Sequence, residues 1–367
     1  MRAVLFTLTL FCGLSWAQQP NPDQILKAAI DAQQHGDFQT AITAYRKVLE
    51  LRPNLVEAKV NLGAALAHEG QFDEAIAMYR SALPAVSQKN PVLMNIALAF
   101  YKKGDFESAR QQLEPLQKEQ PDSARIAVLL GDTYNRLHKS SEAVALLQPL
   151  EKTDSQNSDL EYVLGTALIA AGQRREGVTR IEKVAAAGKS AEAYLLAGTT
   201  LLQLNEFEQA RHDLDAAIQL NPKLSGVYTL AGTASDKMGN VKEAEAAFRE
   251  ALKQNPDDFD ANLYLGAILY KRREMEVAKP YLEHALALNP SSTMARYEMA
   301  MLKSTSGDYE TAARDLESVV KDDPNWLEPH VQLATLYYRL HRPEDGARER
   351  QIVEKITAEQ QTQGPKP

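Results

Sequence analysis

Cysteine is almost missing from this sequence, because Cys12 is the only one among 367 residues. Disulfide frameworks and cysteine zinc sites need several cysteines, so both are excluded. Basic charge is also in short supply: 41 lysines and arginines face 49 aspartates and glutamates, which leaves a net charge of −8. Nucleic acids and anionic membrane surfaces are bound by clustered basic residues, so the composition favours neither as a partner.

Motifs of catalysis and cofactor binding are missing as well. The 7 histidines are scattered, and no two of them form the H-E-x-x-H pattern of a zinc-binding helix. Glycine-rich phosphate loops and the G-x-S-x-G nucleophile elbow do not occur. Acidic pairs such as Asp257-Asp258 stand where helix N-termini favour negative charge. We therefore predict a protein that is not an enzyme and that holds no metal ion or cofactor.

The longest apolar run opens the chain. Arg2 precedes an apolar stretch that ends at Cys12, and Ser15-Trp16-Ala17 fits the small-x-small pattern of a signal-peptidase site. The run is shorter than the roughly 20 residues that a transmembrane helix needs. A lipid anchor on Cys12 is the alternative, although the residue before it is a large one. We predict a cleaved export signal at residues 1–17, a periplasmic or secreted mature protein, and no membrane insertion after cleavage.

A period of 34 residues runs through the rest of the sequence. Small residues recur at positions 41, 75, 109, 143, 177, 210, 244, 278, 312 and 346, so that one interval alone is 33 residues long. A second small residue lies 12 positions before each of them, often after a large apolar residue, as in Leu265-Gly266. Glycines follow between the two small positions in most repeats, and prolines close many of them. Each repeat therefore predicts a helix, a turn, a second helix and a stop.

The small residues have a steric explanation, because two antiparallel helices approach closely only where at least one of them carries small side chains. A bulky residue four positions after the second small one would fill the space beside the crossing, as Phe248 does after Ala244. A single helix pair cannot bury its own apolar face, so neighbouring pairs must stack to form a core.

This pattern resembles the tetratricopeptide repeat over nearly the whole chain after the signal. The resemblance rests on the Leu-Gly pair, the later alanine, the large residue four positions on and the closing proline, best matched by Leu265, Gly266, Ala278, Leu282, Ala285 and Pro290. It implies an all-α, right-handed α-solenoid of about ten helix-turn-helix repeats. The repeats would fill residues 18–356 and start near 22, 56, 90, 124, 158, 191, 225, 259, 293 and 327, before a disordered polar tail at 357–367.

The resemblance also implies a concave groove lined by the first helix of each repeat. Repeat positions 2, 5, 9, 12 and 13 would face it. Tetratricopeptide adaptors hold a terminal carboxylate with lysine at position 5 and asparagine at position 9, but position 5 here is never lysine. Sugar-transferase arrays carry a row of asparagines at position 6, of which this chain has only Asn61 and Asn95. Neither mode is therefore expected.

A mixed row of aromatic, sulfur-containing and basic residues remains in the predicted groove. Tyrosine and arginine are enriched at binding hot spots, and methionine adapts to varied partners. We predict that a partner contacts Tyr101, Lys102, Arg136, Tyr162, Tyr270, Lys271, Met294, Tyr297, Met301, Tyr338 and Arg339. The alternative is that these side chains pack against the next repeat instead.

The sequence thus favours a non-enzymatic interaction scaffold of the cell envelope, with a protein or peptide as its partner. An enzyme built on helical repeats would need chain outside the array, and almost none is left. Two other hypotheses stay open: the protein is a chaperone-like holder of extended polypeptides, or it is a non-catalytic subunit of an envelope enzyme or assembly complex.

Overall fold

The computed structural model describes residues 21–152, 154 and 156–363, and every regular element in them is an α-helix. Short turns join the helices. None of the helices described combines the length and the apolar character that crossing a bilayer requires. Their bounds are α1 Pro22–Gln34, α2 Phe38–Leu51, α3 Val56–His68, α4 Phe72–Ala82, α5 Lys89–Lys103, α6 Phe106–Glu119, α7 Ala124–Arg136, α8 Ser140–Glu151, α9 Ser158–Ala170, α10 Arg174–Gly188, α11 Ala191–Gln203, α12 Phe207–Leu220, α13 Val227–Lys237, α14 Val241–Gln254, α15 Phe259–Lys271, α16 Met275–Leu288, α17 Thr293–Thr305, α18 Tyr309–Asp322, α19 Leu327–Arg339 and α20 Pro343–Gln363.

The helices form two compact units. The N-terminal unit ends at Gly172, and in it α1 packs on α2, α3 on α4, α5 on α6 and α7 on α8, while α9 lies against α7 and α8. The C-terminal unit begins at Gln173, and in it α10 packs on α11 before the pairs α11–α12, α13–α14, α15–α16, α17–α18 and α19–α20. Each pair also contacts the next pair of its unit, which is the architecture of an α-solenoid.

The turn inside every repeat contains one residue in the left-handed backbone conformation, with a positive φ. Six repeats use glycine there, with φ between 75° and 89°, at Gly36, Gly70, Gly104, Gly172, Gly239 and Gly307. The other four use a residue with a side chain, with φ between 56° and 63°, at His138, Asn205, Arg273 and His341. Glycine reaches this region without a steric cost. The repeat therefore imposes the turn, and glycine marks it in most repeats but not in all.

The glycines of the first helices lie directly under large residues of the second helices. A Cβ atom added to Gly232 would lie 2.7 Å from Cε1 of Phe248, which is 0% exposed. Equivalent contacts of 2.6–2.7 Å would arise at Gly63 with Tyr79, Gly131 with Leu147, Gly198 with Leu214 and Gly266 with Leu282. In these five repeats the bulky residue thus fills the space over the glycine of the partner helix, 16 residues earlier in the chain.

The one 33-residue interval is absorbed between α10 and α11. Only Lys189 and Ser190 link these helices, whereas four residues, Arg52 to Leu55, link α2 and α3. Lys189 takes a left-handed φ of 49°, and the hydroxyl of Ser190 accepts a hydrogen bond from the backbone N–H of Ala193 at 3.2 Å. The shorter link therefore still turns the chain and caps the next helix.

The last helix is longer than the sequence pattern predicts. We expected a disordered tail from residue 357, but α20 continues through Gln363. Residues 357–363 read TAEQQTQ, which contains good helix formers and neither glycine nor proline. This composition suits the helix that the structure shows through Gln363, and residues 364–367 lie outside the described residues.

Asp213 is a buried acid between helices of the C-terminal unit. Asp213 lies on α12 and is only 3% exposed. Its Oδ1 lies 3.1 Å from Nδ1 of His212. Burial raises the pKa of Asp213. Burial also raises the pKa of Glu182 on α10, and the neighbouring charge and hydrogen bond of Asp213 raise it further. The pair therefore favours the state in which a proton is bound.

We expect Asp213→Asn to stabilise the protein at neutral pH. The ordinary pKa values are 3.8 for Asp213 and 4.5 for Glu182. Because both are raised on folding, their favourable contribution is complete below those values and is lost as pH rises through the folded values. Urea unfolding should therefore show a variant equal in stability to the parent near pH 4 and more stable than the parent near pH 7.5. Asp122→Asn, at an exposed position, is the control, and an equal gain there would contradict the explanation.

Candidate functional site

A cleft in the N-terminal unit brings together predicted site residues from three successive repeats. It has a volume of about 530 Å³ and is lined by side chains of α5, α7 and α9, among them Tyr101, Arg136 and Tyr162. We call it the N-terminal cleft. Its other lining residues are Met94, Leu98, Ala124, Arg125, Val128, Leu129, Asp132, Asn157, Asp159 and Val163.

Helix periodicity and stacking explain why these residues meet. Met94, Leu98 and Tyr101 stand at i, i+4 and i+7 on α5, so they share one face. Val128 on α7 and Tyr162 on α9 occupy the same repeat position as Met94. Since α5 contacts α7 and α7 contacts α9, equal positions form a row across the three helices.

A hydrogen-bonded network fixes one wall of the N-terminal cleft. The hydroxyl of Tyr101 donates to Oδ2 of Asp132, and Nε of Arg136 lies 3.6 Å from the same oxygen. The ring of Phe106 meets that of Tyr101 edge-on at 5.5 Å between centroids. Burial, followed by the hydrogen bond to Asp132, raises the pKa of Tyr101, so its hydroxyl stays a donor. This wall is held in place by contacts within the chain.

Arg125 is the charged residue of the cleft whose charge is compensated neither by a described neighbour nor by its own helix. It is exposed in the first turn of α7 and makes no hydrogen bond or ion pair with the residues that the structure describes. A helix N-terminus disfavours positive charge. Six other repeats have an acid at this position, and Arg125 is the only basic residue there. The sequence prediction did not single it out, although this reversal of charge would have identified it.

A second cavity continues from the N-terminal cleft towards the starts of α5 and α7. It has a volume of about 540 Å³ and shares Met94 and Arg125 with the cleft. Lys89, at the beginning of α5, and Ser123 also line it. Lys102, another predicted site residue, lies exposed at the other end of α5 and does not line the cleft.

The predicted site residues of the last three repeats divide into two groups. Tyr270, Tyr297 and Arg339 form the first group, and their side chains contact other residues of the fold. The ring centroid of Tyr297 lies 4.8 Å from that of Trp326, and burial raises the pKa of Tyr297 to about 12. The hydroxyl of Tyr270 is 3.0 Å from Oγ1 of Thr305. Cζ of Arg339 lies 5.3 Å from the ring centre of Tyr309. These side chains join neighbouring repeats.

The second group is open to solvent. Met294 is 42% exposed, and Tyr338 is 42% exposed although its ring packs on Gly346 of α20. Val331, at the same repeat position as Tyr297, is 40% exposed. Lys271 is exposed, and Met301 is half-buried. We call Met294, Val331 and Tyr338 the C-terminal row.

The chemistry of these surfaces suits binding. Apolar side chains, which we call the apolar floor, make up most of the lining of the N-terminal cleft, and the polar groups of Tyr101, Asp132 and Arg136 lie beside one another. Within the described part of the chain, no group of three or more histidine, cysteine or acidic residues could hold a metal ion. Elsewhere, both ring nitrogens of the buried His330 are engaged in polar contacts within the fold. Nδ1 lies 2.6 Å from Oε2 of Glu349, and Nε2 lies 3.1 Å from the carbonyl oxygen of Pro324.

Comparison with known proteins gives a family match. A tetratricopeptide repeat model matches residues 26–90, 162–225 and 229–293, and another model of the same repeat matches 66–133. A search of curated proteins found no match.

Solved structures of repeat proteins are similar to this chain. YrrB, described as a tetratricopeptide repeat protein with an unusual peptide-binding site, is 25% identical over 48% of this chain and 91% of its own, with a TM-score of 0.41. The C-terminal part of a repeat protein from Cytophaga hutchinsonii is 16% identical over 63% of this chain and 95% of its own, with a TM-score of 0.52. PilF of Pseudomonas aeruginosa is 22% identical over 55% and 93%, with a TM-score of 0.48. The second of these supports the fold.

Proposed function

This chain belongs to the tetratricopeptide repeat family, and from that premise we propose that it is a non-enzymatic scaffold that binds a segment of a partner protein in the N-terminal cleft. The observation that carries the proposal is the meeting of Tyr101, Arg136 and Tyr162, from three repeats, around one cavity of about 530 Å³. Family membership supports binding, and the cleft supports the place.

The dimensions of the cleft suit a short segment. First helices that pack about 10 Å apart span about 20 Å over three repeats. An extended chain covers that distance with about six residues. The apolar floor would take large side chains, while tyrosine and arginine at the walls are residue types common in binding hot spots.

The C-terminal row is a second candidate surface. Met294, Val331 and Tyr338 expose about 40% of their surface or slightly more, at positions of the predicted groove. Val331 and Tyr338 stand at i and i+7 on one face of α19, and exposed apolar side chains that share a face are typical of contact surfaces. Binding at this row and binding in the N-terminal cleft are separable by experiment.

We propose that the protein acts outside the cytoplasm, in the periplasm or in the medium. The support is the signal-like sequence at residues 1–17, which lies outside the described residues. We expect the mature protein to begin at Gln18, because Ala17 ends the cleavage motif. N-terminal sequencing of the protein purified from its host is the measurement. A cytoplasmic protein that retains Met1 would contradict the proposal.

Photocrosslinking in the host tests the scaffold function. A photoreactive amino acid replaces Leu98 on the cleft floor, Val331 in the C-terminal row, or Leu51, which is 39% exposed at the end of α2 and serves as the control. We expect one stoichiometric protein adduct from position 98 and none from position 51. Many unrelated adducts at 98 would favour a holder of extended polypeptides. Equal adducts at 98 and 51 would refute a specific cleft.

A further inference from the structure

We infer that the partner segment carries an acidic side chain one or two residues from a large apolar one, and that its carboxylate pairs with Arg125. The inference rests on the proposed function and adds the chemistry of the partner. It follows from the one charge of the N-terminal cleft that, among the described residues, neither a neighbouring side chain nor the dipole of its own helix compensates.

Arg125 stands at a position where a positive charge destabilises its own helix. Its positive charge in the first turn of α7 opposes the helix dipole, and no acidic residue occurs in that turn. No described residue pairs with it either. Departures from such local rules concentrate at functional sites, and Arg125 combines this departure with a place in the lining of the N-terminal cleft. An acid of the partner would supply the missing compensation.

The other charges of the cleft are accounted for by neighbours or by their own helix. Arg136 lies beside Asp132, which also accepts the hydroxyl of Tyr101. Asp159 is in the first turn of α9, where an acid is favourable. Lys89 lines the adjoining cavity together with Arg125 and adds positive charge at this end. In a chain with a net charge of −8, such a basic spot selects and orients an acidic segment.

The apolar floor begins next to Arg125. Val128 stands three residues later on α7, so the two side chains are neighbours on the helix surface. Met94 lines both cavities together with Arg125. Helix neighbours at this spacing lie about 5–6 Å apart between Cβ atoms. Side chains on one face of an extended segment repeat about every 7 Å, so an acid and an apolar residue at i and i+2 match the pair.

Selection from a random peptide library against the mature chain tests the inference. We expect enriched peptides to combine Asp or Glu with a large apolar residue one or two positions away. For a selected peptide, Arg125→Glu should raise the dissociation constant about tenfold or more, as measured by fluorescence anisotropy at low salt. A peptide whose acid is changed to lysine should recover affinity for Arg125→Glu.

Arg174→Glu is the matched control. Arg174 is likewise an exposed arginine in the first turn of a helix, α10, without a described partner, and it does not line the cleft. Both substitutions place an acid at a helix N-terminus, so neither should lower the thermal midpoint. A loss of affinity confined to Arg125→Glu therefore reports the charge pair and not unfolding.

Two results would overturn the inference, and they differ in what they leave standing. Peptides that crosslink to position 98 but lack an acid, or that bind Arg125→Glu unchanged, would refute the acidic partner while retaining the binding cleft. Failure of the whole library to yield a peptide that crosslinks at position 98 would refute the acidic partner and the cleft together.

Discussion

Replacing Phe248 with alanine should lower the free energy of unfolding by about 3–5 kcal/mol, the usual cost of truncating a fully buried aromatic residue. The ring is 0% exposed, it covers Gly232 of α13, and its centroid lies 5.6 Å from that of Tyr264 on α15. It therefore joins two helices of one repeat to the next repeat. Urea unfolding followed by circular dichroism is the measurement. A loss below about 1 kcal/mol would show that the crossing contributes little.

A double-mutant cycle locates that energy at the contact with Gly232. Gly232→Ala alone should cost about 1–3 kcal/mol, because the new methyl group would lie 2.7 Å from the ring of Phe248. In the Phe248→Ala background the methyl group enters the cavity instead, so the two losses should fall short of additivity by at least about 0.5 kcal/mol. Gly188→Ala is the control, since its added Cβ meets nothing within 4 Å and alanine favours the helix. Strict additivity would refute a direct contact.

Replacing both Leu98 and Tyr162 with alanine should weaken partner binding at least about thirtyfold, which corresponds to the 2 kcal/mol typical of hot-spot truncation. Both residues line the N-terminal cleft and are half-buried, so the helical circular dichroism signal should change little. Affinity for a crosslinked partner segment or a selected peptide is the measurement.

Tyr338→Ala separates the two candidate surfaces in the same assay. Tyr338 is 42% exposed in the C-terminal row, and we expect its truncation to leave binding in the N-terminal cleft unchanged. The opposite outcome, with the cleft variant unaffected and Tyr338→Ala defective, would move the partner to the C-terminal row.

The amino-acid sequence determined the helical repeat and its period, because contact between stacked helices demands small residues at regular intervals. Gly232 and Phe248 could both be placed at a crossing from spacing alone. The contact of the ring with that glycine, and its approach to Tyr264, appear only when two helices and the next repeat are packed together.

Tertiary structure alone decided which predicted site residues are available to a partner. Tyr297 and Val331 occupy the same repeat position, yet Tyr297 packs on Trp326 while Val331 is 40% exposed. Likewise Arg136 lies beside Asp132, whereas Arg125 on the same helix has no described partner. Periodicity reports the face of a helix on which a residue lies. Exposure and charge pairing depend on side chains from neighbouring repeats, and only the packed structure sets their distances.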